Sequence, residues 1–249
     1  QETEVTDSEL VRRYRLLYPR PTNWQPMRAE VLERRLRENL FEGRELREDL
    51  LRRMHDVSEF MRTLKLRYTL WFNRSRKRYG PLWSARFKSV LVEGNRFALR
   101  TVAAYIDLNA VRAGLVKDPK EYRFCGYAEA LGGGRLARAG LAVVGKDLEG
   151  YRQTLYGSGA AERLGKVSIS RKEALRVLEK EKGRLPLWVL LRCRIRYFSD
   201  GRVLGSDEFV REYLKAEPPG IREKVPHAMR GADWKGLAVG TGLRKGLFG

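Results

Sequence analysis

The feature that most constrains the fold is a helical periodicity of apolar side chains between Arg44 and Asn73. Steps of three and four residues alternate along this stretch, which keeps one face of an α-helix apolar. We therefore predict one long helix here, with most of its apolar stripe packed into a hydrophobic core. The stripe consists of Leu46, Leu50, Met54, Val57, Met61, Leu64, Tyr68 and Trp71.

Two shorter helices are predicted before the long one. Thr6 and Glu9 have the spacing of a capping box, which predicts a first helix that runs to Leu17. Prolines then interrupt the chain. We expect a second helix to end at Gly43, because glycine commonly terminates helices. The apolar residues of this second helix are Val31, Leu32, Leu36 and Leu40.

A strand and another helix are predicted after the long helix. Gly80 closes a basic loop that begins at Arg74, and residues 83–93 then predict a strand with a buried run at residues 90–92. Asn95 is a capping residue at the start of a predicted helix over residues 96–109. The side chains that we expect to face inward from this helix are Leu99, Val102 and Ile106.

The C-terminal half has a looser texture. Glycine and arginine are frequent in residues 132–165, which predict a linker between a domain of residues 1–131 and a helical extension of residues 166–249. Helices are predicted at residues 171–182 and 187–198, and from Ser206 to Leu214. We expect the glycine-rich end of the chain to be loosely structured.

Basic residues in the extension lie beside a predicted helix, turn and helix. Arg192, Arg194 and Arg196 precede the turn that begins at Ser199. This arrangement is typical of a helix-turn-helix that reads DNA in the major groove. An ordinary pair of packed helices explains the same pattern, and we favour that interpretation.

The charge of the chain indicates its class of partner. Lysine and arginine number 51 against 31 acidic residues, which gives a formal net charge of +20. A chain this basic is typical of nucleic-acid binding, because neutralised phosphates release condensed counterions. No apolar run is long enough to cross a membrane. We expect a cytoplasmic protein in which Cys125 and Cys193 are reduced, buried thiols.

Half of the net charge lies between residues 62 and 100, where eleven basic residues face a single acidic one, Glu93. Aromatic residues are interleaved with this basic cluster, a combination typical of proteins that bind single strands or hairpins by phosphate contacts and base stacking. We expect each individual ring to belong to the core. The predicted nucleic-acid-binding residues are Arg62, Lys65, Arg67, Arg74, Arg76, Lys77, Arg78, Arg86, Lys88 and, further along the chain, Arg112.

Tyr105 and Asn109 lie four residues apart on a predicted helix and therefore share a face. A phenol can attack a phosphodiester as a nucleophile, and an amide oxygen beside it can bind a hard cation. Taken alone, a tyrosine on a helix is more often a packed ring with a hydrogen-bonded hydroxyl.

Three ordered segments of the chain resemble the REP-associated tyrosine transposases of the HUH superfamily of single-strand nucleases. They read LKLRYTLWFN at residues 64–73, GPLWSARFKS at residues 80–89 and YIDLNAVRAGLV at residues 105–116. The resemblance extends over residues 45–131. It implies an α+β fold, mainly helical as given, which contains the C-terminal part of an HUH-type α/β catalytic domain and a helical extension.

The family resemblance also implies a chemistry. Tyr105 would attack a scissile phosphate of single-stranded, hairpin-bearing DNA, become linked to the 5′ end, and release a 3′ hydroxyl for later rejoining. A divalent cation, Mg²⁺ or Mn²⁺, would be held by two histidines of a His-x-His strand and by Asn109 as third ligand. The implied role is DNA transposition and recombination beside the prokaryotic nucleoid.

The chain departs from the family pattern because no His-x-His pair occurs in it. Two explanations stay open: the chain is a fragment that begins after the histidine strand, or it is a degenerate relative that binds DNA or RNA without cutting it. A structural RNA-associated protein is the third hypothesis. We expect the chain as written to be inactive as a nuclease. Without the other strands of the sheet, Val90 and Val92 would lack partners, which favours a homodimer or instability.

Overall fold

The computed structural model describes residues 5–22, 25–85, 87–145, 147–157, 171–216 and 225–240. They form a mixed α+β structure that is mainly helical, with a small sheet. The chain divides into two compact units, residues 1–87 and residues 88–249. This division lies well before the boundaries predicted at residues 131 and 165. No helix among the described residues combines the length and the apolar composition needed to cross a membrane.

Unit 1 is helical throughout its described elements. Thr6 begins the first helix as predicted, since its hydroxyl accepts a hydrogen bond from the Glu9 amide at 3.3 Å. The Glu9 carboxylate does not complete the capping box, because it binds Arg12 and Arg13 instead, and these two guanidiniums lower its pKa to about 2. The helices are α1 (Asp7–Leu17), α2 (Ala29–Glu38), α3 (Phe41–Arg52) and α4 (Val57–Arg76).

The prediction of one continuous helix over residues 44–73 is wrong, because the chain turns between α3 and α4. His55 adopts a left-handed conformation with φ 62°. Asp56 then caps α4, and its carboxylate accepts hydrogen bonds from the amides of Ser58 at 2.7 Å and Glu59 at 3.1 Å. The apolar periodicity continues across the turn, so the pattern alone did not reveal the break.

The apolar stripe is also not a uniform core. Leu46, Leu50 and Met54 pack against the buried residues of α1 and α2. Beyond the turn, α4 contains no buried residue, and Leu64 and Trp71 are 48% and 62% exposed. The core of unit 1 is already filled by a small set of side chains from the first two helices. These are Leu10, Val11, Tyr14, Ala29, Leu32 and Leu36.

Gly43 does not terminate α2, which ends at Glu38 with Asn39 in the left-handed conformation at its C-cap. Gly43 lies inside α3 and is buried. A Cβ atom at this position would collide with the backbone carbonyl oxygen of Arg35. The glycine is therefore required for the close approach of α2 and α3.

Unit 2 contains a sheet, whose strand order is β1-β2-β4-β3 among the described residues. Its strands are β1 (Leu91–Val92), β2 (Val203–Ser206), β3 (His227–Ala228) and β4 (Leu237–Gly240). Between β1 and β2 the chain forms α5 (Arg96–Asp107), α6 (Asn109–Arg112), a 3-10 turn (Pro119–Glu121), α7 (Gly126–Leu131), α8 (Arg135–Gly145), α9 (Leu148–Tyr156), α10 (Arg171–Leu175), a π-helical turn (Arg176–Lys180), α11 (Leu187–Leu190) and α12 (Tyr197–Asp200). Helix α13 (Asp207–Ala216) follows β2.

Among the described residues, the strand predicted at residues 83–93 is reduced to Leu91 and Val92, which pair with β2. β1 pairs in parallel with β2, with Leu91 opposite Val203 and Val92 opposite Leu204. Val90 and Val92 were expected to lack partners if the other strands were absent, but β2 is present and pairs with Val92. Asn95 caps α5 as expected, with its Oδ1 2.8 Å from the Ala98 amide nitrogen. Ile106, predicted to face inward, is 62% exposed.

The predicted linker at residues 132–165 is helical where it is described. Asp147 caps α9 through a hydrogen bond from the Gly150 amide at 2.7 Å. Leu141 of α8 and Tyr151 and Leu155 of α9 are buried in the same core as α5. The described glycines of this stretch, at positions 132–157, therefore lie within or between packed helices, and residues 158–165 lie outside the described part of the chain.

The C-terminal part folds together with the preceding elements instead of forming a separate helical extension. The predicted helix at residues 187–198 is two short helices, and β2 separates α12 from α13, which rules out both the helix-turn-helix and the simple helix pair. Ser206 begins α13 as predicted, with its hydroxyl 3.3 Å from the Phe209 amide nitrogen. The end of the chain is not loose at β4, whose four residues are all buried. Cys125 and Cys193 are buried and form no disulfide, as predicted.

Candidate nucleic-acid interface

Four aromatic side chains form a cluster in unit 1, and three of them are exposed. Tyr68 lies at its centre, with ring-centroid distances of 5.5 Å to Trp71, 6.0 Å to Phe72 and 5.9 Å to Trp83. Tyr68, Trp71 and Trp83 are 44%, 62% and 46% exposed. The expectation that each ring belongs to the core is therefore wrong for these three residues. We call the four rings the aromatic cluster.

The loop after α4 holds the aromatic cluster in place. The Trp83 indole N–H donates to the Thr69 hydroxyl at 3.0 Å. The Lys65 ammonium lies 5.1 Å from the centroid of the Trp83 ring and donates to the Ala85 carbonyl at 3.0 Å. The Asn73 amide donates to the Gly80 carbonyl at 2.9 Å. These bonds fix the orientation of Trp83 against α4 while leaving about half of the side chain exposed to solvent.

Cations flank the aromatic cluster. The guanidiniums of Arg76 and Arg78 lie 6.0 Å and 5.9 Å from the Phe72 centroid. Such cation–π pairs leave the positive charge available to a second partner at the surface. Arg74 and Lys77 are exposed, and Lys77 ends α4 with a left-handed φ of 50°. The predicted cations at this end of α4 are thus brought together around aromatic rings.

Two other predicted cations in unit 1 have intramolecular partners. Arg62 forms an ion pair with Glu59 at 2.5 Å, although its side chain remains 70% exposed. Arg67 donates to the backbone carbonyl of Leu17 and lies 5.9 Å from the Tyr18 ring. Arg67 thus supports the packing of α4 on α1, whereas the ion pair of Arg62 lies within α4.

A groove of about 900 Å³ runs between α1 and α4 and reaches the aromatic cluster. Its walls are mostly apolar, and Tyr68 and Trp71 lie at one end. Three guanidiniums, those of Arg13, Arg53 and Arg67, and two carboxylates, those of Asp56 and Glu59, belong to the same lining. The apolar walls of such a groove suit flat, uncharged bases.

The predicted basic cluster does not stay in one unit. Arg86 lies outside the described residues, and Lys88 is an exposed residue of unit 2. Glu93, the single acidic residue of the cluster, is not part of its surface charge. Its carboxylate accepts hydrogen bonds from the Ser206 amide at 2.6 Å, the Ser206 hydroxyl at 3.1 Å and the Asn95 amide at 2.5 Å. Glu93 therefore joins β1 to the start of α13 and does not itself neutralise the surface cations of the cluster.

Tyr105 is half-buried in unit 2. Its hydroxyl donates to the Ile195 carbonyl at 3.3 Å and lies 3.4 Å from the amide nitrogen of the same residue. The ring packs against Phe198 at a centroid distance of 4.4 Å. Both contacts are those of a packed tyrosine, the alternative that the sequence left open. A phosphate group of a DNA strand could bind the Tyr105 hydroxyl only after these two long hydrogen bonds had broken.

Arg112 occupies the space between Tyr105 and Asn109. Its guanidinium carbon lies 3.6 Å from the Tyr105 ring centroid, and its Nη2 is 3.5 Å from the Asn109 Oδ1. Its Nη1 donates to the Leu191 carbonyl at 2.9 Å, and burial lowers the pKa of this side chain. Arg112 was predicted to bind nucleic acid, but its contacts make it a packing residue.

The residues present do not fit a divalent cation at Asn109. One amide oxygen is the only ligand that α6 offers there, and the guanidinium of Arg112 already lies against it. A second positive charge would be repelled at that distance. The described residues contain no group of three or more histidine, cysteine, aspartate or glutamate side chains that could hold a metal ion.

Asp107 is a buried acid that the sequence reasoning did not single out. It is 4% exposed, and the Tyr151 hydroxyl donates to its Oδ2 at 2.7 Å. The amides of Gly126 and Tyr127, at the start of α7, also donate to it, yet burial outweighs these bonds and raises its pKa. Asp107 thus joins the end of α5 to α7 and α9. The sequence feature that could have drawn attention to Asp107 is its position two residues before Asn109.

Comparison of the chain with protein-family models, with curated proteins and with solved structures finds no match in any of the three.

Proposed function

We propose that this chain is a nucleic-acid-binding protein of the tyrosine-transposase type, with single-stranded, hairpin-bearing DNA as its partner. The observation that carries the proposal is the aromatic cluster, in which Tyr68, Trp71 and Trp83 are exposed, with cations beside it. Rings of this kind stack on unpaired bases, and the neighbouring cations neutralise the strand's phosphates. The net charge of +20 supports the same class of partner.

The aromatic cluster favours single strands over duplexes. A duplex hides the faces of its bases, so it can use the cations but not the exposed rings. Base–aromatic stacking contributes about 1–3 kcal/mol per base by alanine substitution. Trp71, at 62% exposure, offers the largest free face of the four rings, and Arg74 lies one helical turn away.

The test is fluorescence anisotropy with a labelled DNA hairpin that carries a single-stranded arm. We expect Trp71→Ala to weaken binding of the arm about tenfold and to leave binding of a blunt duplex unchanged. Arg74→Gln should weaken the binding of both ligands. For a single strand, the slope of log affinity against log salt concentration should become shallower by about 0.7 per lost phosphate contact.

A matched control is Arg34→Gln, which removes the same charge from an exposed position on α2. It should bind like the unchanged chain. Equal losses for Arg34→Gln and Arg74→Gln would mean that only the net charge matters, and the proposed surface would then be abandoned. An RNA hairpin of the same sequence, if bound more tightly than the DNA, would favour an RNA-associated role.

A second candidate function is strand cleavage by Tyr105, for which the position of Arg112 is the supporting observation. A guanidinium 3.6 Å from the ring centroid would stabilise a phenolate. In this step the phenolic oxygen bonds to phosphorus as the bond from phosphorus to the 3′ oxygen breaks. The phenolic proton leaves to solvent, and the 3′ oxygen takes one up from water. The products are a 5′-phosphotyrosine and a free 3′ hydroxyl.

Cleavage is tested with a labelled hairpin strand on a denaturing gel, with Mg²⁺, with Mn²⁺ and with chelator. A protein–DNA adduct that is lost in Tyr105→Phe supports Tyr105 as nucleophile. Tight binding without an adduct in any of the three conditions supports a protein that binds the strand without cutting it.

A further inference from the structure

Unit 2 contains a cleft of about 570 Å³ in which basic side chains from two distant parts of the chain converge. Lys88 comes from the segment before β1, and the other cations come from the segments on either side of α12. Among the described residues of its lining, four are cationic and one is acidic, Asp200, whose Oδ1 is 3.2 Å from the Ser199 hydroxyl. The lining consists of Lys88, Ser89, Arg194, Arg196, Ser199, Asp200, Gly201 and Arg202. We call it the basic cleft.

The parallel pairing of β1 with β2 creates the basic cleft. Parallel strands begin at the same edge of a sheet, so the residues before Leu91 and those before Val203 meet there. The backbone of Arg202 is held from both sides. Its carbonyl accepts from the Leu91 amide at 2.9 Å, and its own amide donates to the Gly240 carbonyl at 3.0 Å. This wall of the cleft is therefore part of the sheet.

The opposite wall is attached to α5. Arg194 and Arg196 flank Ile195, whose backbone carbonyl and amide contact the Tyr105 hydroxyl. Ile195 itself is fully buried, whereas Arg194 is exposed. Neighbouring side chains of this segment point in opposite directions, so that Ile195 lies in the core and Arg194 lies at the surface. The burial of Ile195 fixes the backbone from which both arginines project.

We propose that the basic cleft is a second phosphate-binding site, which takes phosphate groups of the bound nucleic-acid strand. The inference rests on the proposed function and adds a contact surface in unit 2 to the aromatic cluster of unit 1. Four cations and one carboxylate line this concave surface, so the lining carries an excess of positive charge. Guanidiniums bind phosphate oxygens with two parallel N–H donors, and the Ser89 hydroxyl adds a neutral donor, whereas the Ser199 hydroxyl already donates to Asp200.

The polarity of the cleft argues for a phosphate ligand and against stacked bases. Its lining contains no aromatic residue among the described positions, unlike the groove of unit 1. A ligand that enters it would meet charged and hydroxyl groups and find no ring face. The cleft should therefore contact the backbone of the strand without regard to base sequence.

The experiment compares two double variants of the full chain in binding to the labelled DNA hairpin with a single-stranded arm. Arg194→Gln with Arg202→Gln removes two charges from the cleft. Arg123→Gln with Arg135→Gln removes two charges from exposed positions elsewhere in unit 2. We expect the cleft variant to lose affinity about tenfold or more and its salt slope to fall by about 1.4, which corresponds to two phosphate contacts. The control variant should change little.

Two further comparisons identify which phosphate is bound. A 5′-phosphorylated arm that binds more tightly than a 5′-hydroxyl arm, with the difference lost in the cleft variant, indicates a terminal phosphate. Equal binding of both arms, with the cleft variant weaker for each, indicates internal phosphates. Pyrophosphate should compete with the strand at the cleft of the unchanged chain and have less effect on the cleft variant.

The outcomes separate this inference from the proposed function. If the unchanged chain binds no strand at all, the proposed function fails and the cleft loses its ligand with it. If it binds and the two double variants lose affinity equally, the cleft proposal alone is overturned. Arg194→Lys with Arg202→Lys keeps both charges, so retained binding by this variant would confirm that charge at the cleft, and not its folding, controls affinity.

Discussion

The Tyr105 hydroxyl contacts both backbone groups of Ile195, at 3.3 Å to the carbonyl oxygen and 3.4 Å to the amide nitrogen. One residue thus ties α5 to the segment that carries two arginines of the basic cleft. We expect Tyr105→Phe to lower the free energy of unfolding of unit 2 by about 0.5–1 kcal/mol, since the two hydrogen bonds are long. Chemical denaturation measures this loss. An unchanged midpoint, together with a lost DNA adduct, would show that the hydroxyl serves chemistry alone.

Arg112→Gln should weaken stability more than nucleic-acid affinity. The change removes a charged hydrogen bond to the Leu191 carbonyl and the stacking on Tyr105, and should cost about 2 kcal/mol. Anisotropy measured below the melting temperature should show affinity within about twofold of the unchanged chain, as for a surface change without a phosphate contact. A large affinity loss in a fully stable variant would restore Arg112 to the binding surface.

Gly43→Ala should destabilise unit 1, although alanine favours helices. The added methyl group would collide with the Arg35 carbonyl oxygen, so α2 and α3 must move apart at a cost of about 1–3 kcal/mol. Gly140→Ala is the control, because its position in α8 has open space around it. That variant should gain about 0.5–1 kcal/mol. Thermal melts of the two variants measure these changes in stability. A gain in stability for both variants would contradict the close packing of α2 and α3.

Asp107→Asn should change how stability depends on pH. Burial raises the pKa of Asp107 above its ordinary value of 3.8, so the charged form costs stability at neutral pH. That cost disappears as pH falls from neutral towards 4, and the unchanged chain gains stability relative to the variant over this interval. Denaturation midpoints of both proteins at several pH values measure the gap. The variant should be less stable throughout, since its amide donor would face the amides of Gly126 and Tyr127.

The beginnings of several helices could be read from the sequence because they depend on local contacts. Thr6, Asn95 and Ser206 each accept a hydrogen bond from an amide three residues ahead, and the residue type and spacing suffice to predict this. Asp56 does the same for α4. The apolar periodicity continues across Asp56 and hid this helix start. A capping residue is therefore better evidence for the start of a helix than a continuous periodicity is for its absence.

Long-range pairing could not be predicted from the sequence. Nothing in the two-residue strand Leu91–Val92 specifies that its partner is β2, since the pairing depends on the whole of unit 2. The burial of β4 was missed for the same reason, because the glycine-rich sequence around it resembles that of a loose tail. For the candidate site, residue types predicted the cations of α4. The exposure of the rings and the convergence of the cations in the basic cleft depend on tertiary structure, which the local sequence does not specify.

The pairing of β1 with β2 sets an order of events during synthesis. β1 and α5 leave the ribosome early, yet the strand beside Leu91 and Val92 is β2, and β2 in turn pairs with β4. The sheet of unit 2 can therefore close only after residues up to Gly240 have been synthesised, and the apolar residues that pack on β2 and β4 stay exposed until then. A stalled or shortened chain would present these surfaces to chaperones and proteases, so the cellular amount of this protein should depend strongly on complete translation.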